Sequence, residues 1–407
     1  MSIESDLYLI KDFDKKYCMQ VFSPLDVAFV KGKGCYLYDT EGKKYLDMIG
    51  GIAVNSVGHG HPKLVKAISE QAKNLIHCSN YYLIPSRSEL AYNLCKKASF
   101  ADKVFFSNSG AEANEAAIKL ARGYFYYKGM DRYEIITAKM SFHGRTMGTI
   151  SATGQPRFSK PFEPVVPGFK YVEFNDIEDL ANAVTDKTAA IMLELIQGES
   201  GVHPAAPDYI VAVRKLCNER GILFIDDEIQ TGMGRTGKNF CYEHYGVYPD
   251  IMTLAKGLAG GVPIGATLCS DEVASGFHVG DHGSTFGGNP LATTAANTVI
   301  EIMDQEQLTA NAGLVGDELM DKLQALKAKF PMIHQVRGRG LLIGIEFNPM
   351  ISAAMMKDVL FERGFLVSAI GASTIRIAPP LIITKKEALS FANELEKILK
   401  SQAKNMR

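Results

Sequence analysis

The segment Ile222-Leu-Phe-Ile-Asp-Asp-Glu228 runs four apolar residues straight into three consecutive acids. A stretch this apolar, entered from Gly221 and rich in Ile and Phe, reads as a strand buried on both faces, the kind found in parallel sheets covered by helices. Open sheets of that type bind ligands beyond the carboxyl ends of their strands, which is where Asp227 falls. A carboxylate buried there is costly, or is driven neutral, unless a positive group faces it, and no Lys or Arg lies within the run to do so.

The surrounding pattern supports such a sheet. Short apolar runs at Val104–Ser107, Tyr133–Ala138, Lys170–Phe174, Ala190–Ile196, Ile222–Glu228, Ile251–Leu254 and Ile264–Cys269 alternate with amphipathic stretches. One of these, Asp208–Arg220, places Ile210, Val213, Leu216 and Cys217 on one face, with Asp208 as the expected cap and Gly221 as the stop. The alternation predicts an α/β domain with a mostly parallel sheet. After about residue 290 the texture changes to long amphipathic segments around a strand at Gly340–Glu346, and the last helix opens with a capping box from Thr384 to Glu387. The chain has 407 residues, 46% of them hydrophobic, more than one core of roughly 250–300 residues accommodates. We expect residues 56–295 to form a large domain, and residues 1–55 and 296–407 to form a smaller α+β domain.

A formal charge of −1, with 44 lysines and arginines scattered among 45 acids, argues against nucleic-acid binding. Seven widely spaced cysteines, an odd number without a C-x-x-C pair, suit a reducing cytoplasm better than a disulfide framework. The start, Met-Ser-Ile-Glu-Ser-Asp-Leu, is acidic where a signal peptide is basic, and no apolar stretch reaches the roughly 20 residues of a membrane span. The expectation is a soluble cytoplasmic protein.

A protonated pyridine nitrogen is one cation that could face a buried strand-end acid. Pyridoxal phosphate needs such an acid under its ring nitrogen and a lysine to form a Schiff base at the other end of the ring, and Asp227 and Lys256, in Thr253-Leu-Ala-Lys-Gly257, are the candidates. Its phosphate needs a backbone cradle. Phe105-Phe-Ser-Asn-Ser-Gly110-Ala111-Glu112 passes from strand through small residues into an alanine-rich helix, aiming free N–H groups and a helix dipole at one spot, although a tight strand-to-helix connection looks the same. In Ser141-Phe142-His-Gly-Arg145-Thr146, Phe142 offers a flat face for a heterocycle and Arg145 a fork for a carboxylate; a core phenylalanine beside a surface arginine is the plainer alternative. Gly283–Pro290 is a second glycine-rich loop with hydroxyls. Gly232-Met-Gly-Arg-Thr-Gly237 matches a dinucleotide fingerprint but starts several residues past its strand and opens no clear helix. His59-Gly-His61 precedes Pro62 at a helix entry, and no metal is assigned.

Together Asn108-Ser-Gly-Ala-Glu-Ala-Asn-Glu-Ala-Ala, Phe142-His-Gly-Arg-Thr, Glu194-Leu-Ile-Gln-Gly-Glu199, Asp227-Glu-Ile-Gln230, Lys256-Gly and Gly283-Ser-Thr-Phe-Gly-Gly-Asn-Pro290 resemble, in order and spacing, the class III pyridoxal-phosphate aminotransferases, acetylornithine aminotransferases above all. The resemblance implies a type I fold with a seven-stranded large domain, a small domain from both chain ends, and a homodimer with shared active sites. It places the Schiff base on Lys256, the pyridine nitrogen on Asp227, the ring on Phe142 and Gln230, and the phosphate on Gly110 and Ala111. Thr285 would reach the phosphate from the partner subunit, with Ser284 nearby. Arg145 would grip the substrate's distal carboxylate, and Arg376 that of 2-oxoglutarate, paired meanwhile with Glu199.

Similar ornithine aminotransferases carry an amino-terminal tyrosine for the free α-amine; the matching stretch here holds Phe22, which favours a masked amine such as N-acetylornithine. Ornithine, succinylornithine and 4-aminobutyrate remain open as donors, as does a nucleotide-dependent oxidoreductase using the Gly232 loop. The doubled acid at Asp226 leaves its own charge unaccounted for.

Overall fold

The computed structural model describes residues 6–405; the first five residues of the acidic start lie outside it. Its centre is a seven-stranded sheet in the order Lys103–Ser107, Gly265–Cys269, Ile251–Leu254, Leu223–Asp227, Thr188–Leu193, Glu134–Ala138, Phe169–Val172. All seven expected strands are present, with ends shifted by a residue or a few. Gly265–Cys269 runs antiparallel to both neighbours, and the remaining pairings are parallel.

The strand alternation sorts side chains between two layers. Phe224 packs in the cluster holding Ile210, Val213 and Cys217 of the helix Pro207–Arg220. Ile225 belongs to the opposite cluster, with Ala117, Leu120 and Ala121 of the helix Gly110–Tyr127. That second helix is alanine-rich on its buried side, so its backbone lies close to the sheet. Pro207–Arg220 ends as expected at Gly221, which takes the left-handed conformation at φ 59°. Its start differs from expectation. Ala206 is the N-cap and Pro207 the first helical residue, because proline's fixed φ and missing N–H suit that position; Asp208 sits inside the first turn, where its charge faces the helix dipole.

A second sheet, antiparallel, orders Ile333–Arg339, Leu342–Phe347, Thr374–Ile377 and Ser368–Ile370 against the helix Leu308–Lys329, on which the helix Lys385–Asn405 packs in turn. The expected capping box is in place, Thr384 N donating to Glu387 Oε2 at 2.9 Å and Glu387 N to Thr384 Oγ1 at 3.3 Å. Near the amino end, Phe29–Lys33, Tyr36–Asp39 and Lys44–Asp47 form a meander whose last strand runs parallel to Phe365–Leu366, so the two ends of the chain share a sheet. Among the described residues no helix is long and apolar enough to cross a membrane.

Candidate active site

A cavity of about 370 Å³ opens at the carboxyl ends of the central strands. Gly110, Ala111, Phe142, Arg145, Glu199, Asp227, Gln230 and Lys256 all contribute to its wall, although they come from five separate segments of the chain. Ser284, Thr285 and Arg376 are not part of that wall.

Asp227 ends its strand on the face covered by the helix Gly110–Tyr127, and is buried with three donors on its carboxylate. His143 Nδ1 and Asn114 Nδ2 each lie 2.8 Å from Oδ2, and Ile229 N donates to Oδ1 at 3.1 Å. Asn114 is itself fixed, donating also to His143 O and accepting from Thr253 Oγ1. With a carboxylate at Nδ1, the ring is oriented so that its buried Nε2 has no partner among the described residues. Neither His143 nor Asn114 was singled out from sequence. Both stand in the motifs quoted for the resemblance, but their role depends on an acid more than eighty residues away.

Lys256 follows the strand Ile251–Leu254 at the start of a short 3-10 turn, with an unusual positive φ of 34°. Strain of this kind in a non-glycine residue is found where the surroundings dictate a side chain's position. Burial lowers its pKa; Glu199 partly offsets this, and the like charge of Arg376 lowers it further. At the third corner, Ser109 caps the eighteen-residue helix through Glu112 N. The first intrahelical bond runs from Ala113 N to Ser109 O, so the N–H groups of Gly110 and Ala111 precede the ladder and face the cavity region as donors. A side chain at Gly110 would collide with Ile229, which holds that backbone at the wall. A buried carboxylate, a lysine and an anion-binding helix end fit the ring nitrogen, aldehyde and phosphate of pyridoxal phosphate.

The rest of the wall is polar and tightly cross-linked. Glu199 Oε1 is 2.5 Å from Arg376 Nη1 and accepts from Gln230 Nε2 at 3.2 Å; Arg376 Nη1 also donates to Gly198 O and Gln230 Oε1. Burial pushes the Glu199 carboxyl up, but Arg376 and Lys256 together hold it below its ordinary value. Gln230, expected against the ring, is thus also a strut of this ion pair. Glu194, which sequence reading left without a role, accepts from Phe142 N at 2.8 Å and Gly198 N at 3.3 Å, and burial raises its pKa to about 7. Phe142 meets Phe158 edge to face, and the exposed Arg145 stacks on Phe158 with its guanidinium 4.2 Å from the ring centroid.

Ser284 Oγ accepts from Asn108 Nδ2 at 3.0 Å, bringing its loop beside the phosphate cradle, while Thr285 is exposed to solvent. Phe22 is 85% exposed in a segment, Met19–Ala28, that forms neither helix nor strand, and does not line the cavity. Asp226, one residue before Asp227, points to the opposite face, where burial and the neighbouring Glu228 raise its pKa far above the ordinary range. The loop Gly232–Gly237 buries Arg235, which donates to Leu341 O at 3.2 Å and to Pro379 O, and so ties the two parts of the molecule together.

The profile of the family described as Aminotransferase class-III matches residues 19–399. An acetylornithine aminotransferase of Caldanaerobacter subterraneus subsp. tengcongensis is 50% identical over 388 residues, 95% of this chain and 98% of that protein. One from Methanocaldococcus jannaschii is 50% identical over 393 residues, 95% of this chain and 97% of that protein. A solved ornithine aminotransferase of Toxoplasma gondii, in which partial occupancy of PLP at the active site was described, superposes with a TM-score of 0.95 at 32% identity, covering 99% of this chain and 96% of that one.

Proposed function

The chain belongs to the class-III aminotransferases, and from that membership we infer that it transfers the δ-amino group of N-acetyl-L-ornithine to 2-oxoglutarate, giving N-acetyl-L-glutamate 5-semialdehyde and L-glutamate, a step of arginine biosynthesis. Curated relatives of that activity match it at about 50% identity across nearly the whole of both chains. The observation in the structure that carries the chemistry is the meeting of Asp227, Lys256 and the helix start at Gly110 around one cavity.

Pyridoxal phosphate, when bound, supplies an electron sink that stabilises the charge left on the amine-bearing carbon as it loses its proton. Asp227, oriented by three donors, would keep a proton on the ring nitrogen, and Gly110 and Ala111 would hold the phosphate by backbone N–H groups. Lys256 Nζ, its proton affinity reduced by burial, takes the proton from the substrate carbon and returns it. Phe142 supports the ring. Arg145 lines the cavity wall and is assigned to the donor's distal carboxylate.

The two half-reactions demand different things of one site. The donor's δ-carbon bears only hydrogens beside the amine, whereas the reacting carbon of 2-oxoglutarate bears a carboxylate. We assign Arg376 to that carboxylate and Glu199 to a gate, neutralising Arg376 while the donor reacts and leaving it when the oxo acid arrives.

The exposed cluster of Tyr81 (93%), Leu83 (90%) and Phe286 (61%), held together by Asn80 Nδ2 donating to Ser284 O and Gly287 O, supports a homodimer that carries Thr285 into the other subunit's phosphate site. We place the enzyme in the cytoplasm.

A visible spectrum of the purified protein tests cofactor, reaction and donor together. The cofactor band is expected to bleach with N-acetylornithine and return with 2-oxoglutarate. Faster bleaching by ornithine or 4-aminobutyrate would reassign the donor, and a protein without the band would remove the cofactor.

A further inference from the structure

The segment that carries Glu199 is held at both ends by arginines of a single row in the carboxyl-terminal sheet. Arg337 pairs with Gly344, and Gly344 with Arg376, across three neighbouring strands. Directly paired residues project from the same face, so the row presents two guanidinium groups separated by a glycine. The segment crosses over that glycine. Arg376 Nη1 donates to Gly198 O at 3.1 Å, and Arg337 Nε to Gly201 O at 3.0 Å and Val202 O at 3.1 Å. A side chain at position 344 would stand 2.7 Å from Gly201 O.

The far end of the segment is tightly held. Arg337 is buried and fixed by Glu346, by Gln335 Oε1 at 2.9 Å and by His203 Nε2 at 3.3 Å. Gly201 has a φ of +124°, and a side chain there would press on Arg337 and His203. Val202 also holds a left-handed φ of 61°, a strain that the two bonds from Arg337 offset. At the near end, a side chain at Gly198 would displace the amide of Gln230. Only Glu199 and Ser200 lie between the two clamps, which leaves the Glu199 side chain free to turn while its backbone stays in place.

We propose that Arg337 is a positioning residue for the Glu199 gate: by clamping Gly201 and Val202 it keeps Glu199 within reach of Arg376, and so decides how well the enzyme serves two unlike substrates. The proposal rests on the gate reading of Glu199 above. Without the clamp the backbone drifts, Glu199 covers Arg376 less of the time, and the glutamate half-reaction gains at the expense of the N-acetylornithine half.

Single-turnover rates of the holoenzyme with N-acetylornithine and with L-glutamate, measured separately, test this. Glu199→Gln should slow the first and favour the second. Arg337→Met should shift the ratio of the two the same way by about tenfold, the worth of one charge-assisted hydrogen bond. In the double variant the shifts should fall well short of multiplying, because both act on one contact. Arg337→Lys keeps the charge but has one nitrogen where arginine uses Nη1 for Glu346 and Nε for the two carbonyls, so it cannot hold all three at once; it should give a smaller shift in the same direction, which keeps the test usable if the methionine variant does not fold. If Glu199→Gln changes the ratio while both Arg337 variants slow the two halves equally, or multiply independently with Glu199→Gln, Arg337 is only structural and the gate stands. If Glu199→Gln leaves the ratio unchanged, the gate falls and the role of Arg337 falls with it.

Discussion

Asp227 shows how much a single side chain depends on its neighbours. His143 Nδ1 and Asn114 Nδ2 converge on one oxygen, so Asp227→Asn cannot simply remove a charge. An amide oxygen can accept both bonds, but its NH2 then meets Ile229 N, another donor, and the ring nitrogen loses the anion that keeps it protonated. The expected outcome is a fall in turnover of at least about a hundredfold, read in steady-state assays, with weaker cofactor retention. Lys256→Ala should fold and abolish turnover, since no other amine is assigned to the proton transfer; full activity in that variant would remove Lys256 from the mechanism. Arg145→Ala is expected to raise the KM for N-acetylornithine by only a few-fold to about tenfold, because the guanidinium is exposed and solvent screens its attraction. An unchanged KM would make Arg145 a surface residue stacked on Phe158. These residues were legible from sequence because each sits at a strand end or in a glycine-rich turn. His143, Asn114 and Arg337 were not, because their partners lie far along the chain and only the fold brings them together.

Along the strand Leu223–Asp227 the two-residue period separates the acids by role. Asp227 faces the helix Gly110–Tyr127 and the cavity; Asp226 and Glu228 share the other face with the buried Cys241 and Tyr242. Glu228 is well supplied, accepting from Tyr242 N and Thr231 Oγ1 at 2.9 Å each, whereas the carboxyl of Asp226 has no conventional donor. A protonated Asp226 sharing its hydrogen with Glu228 resolves the charge that the sequence left unexplained, since one proton then serves both carboxyl groups. Burial raises Asp226 well above the carboxylate range and Glu228 to about 7. Raised acids favour the folded state most below their ordinary pKa, and that stability is lost as the pH climbs through the raised values. Asp226→Asn should therefore raise the thermal midpoint by about 2 °C at pH 8 and change it little at pH 5. An equal change at pH 5 and pH 8 would show that Asp226 is ionised in the native state at both. The seven central strands could be read because burial on both faces leaves continuous apolar runs. The amino-terminal strands could not: Phe29–Lys33 and Lys44–Asp47 are short, mix lysines with apolar residues, and owe their pairing to Phe365–Leu366 from the other end of the chain. The start of Pro207–Arg220 was misplaced because Asp208 looked like a cap, while the proline before it set the boundary.

For the whole molecule, the open question of assembly is also a question about the composition of each active site. Within one chain the cavity holds Lys256, Asp227 and the helix start, but Thr285 faces solvent beside the apolar cluster of Tyr81, Leu83 and Phe286. If two copies meet through that cluster, each site draws its lysine from one subunit and its threonine from the other. Two inactive variants should then complement. Lys256→Ala lacks the proton-transferring amine, and Thr285→Glu sets a negative charge against the phosphate, so each homodimer alone should be inactive or nearly so. After unfolding and refolding together in equal amounts, half the dimers carry one of each chain. In such a hybrid one site receives both substitutions and the other neither, restoring about a quarter of the activity of the unsubstituted enzyme. Recovery needs exchange of chains, so mixing the folded homodimers without subunit exchange should restore nothing. A refolded mixture that stays inactive, although native mass spectrometry shows hybrids of the two chains, would place Thr285 and Lys256 in the same site of the same subunit or Thr285 outside any site, and either result would separate dimer formation from catalysis.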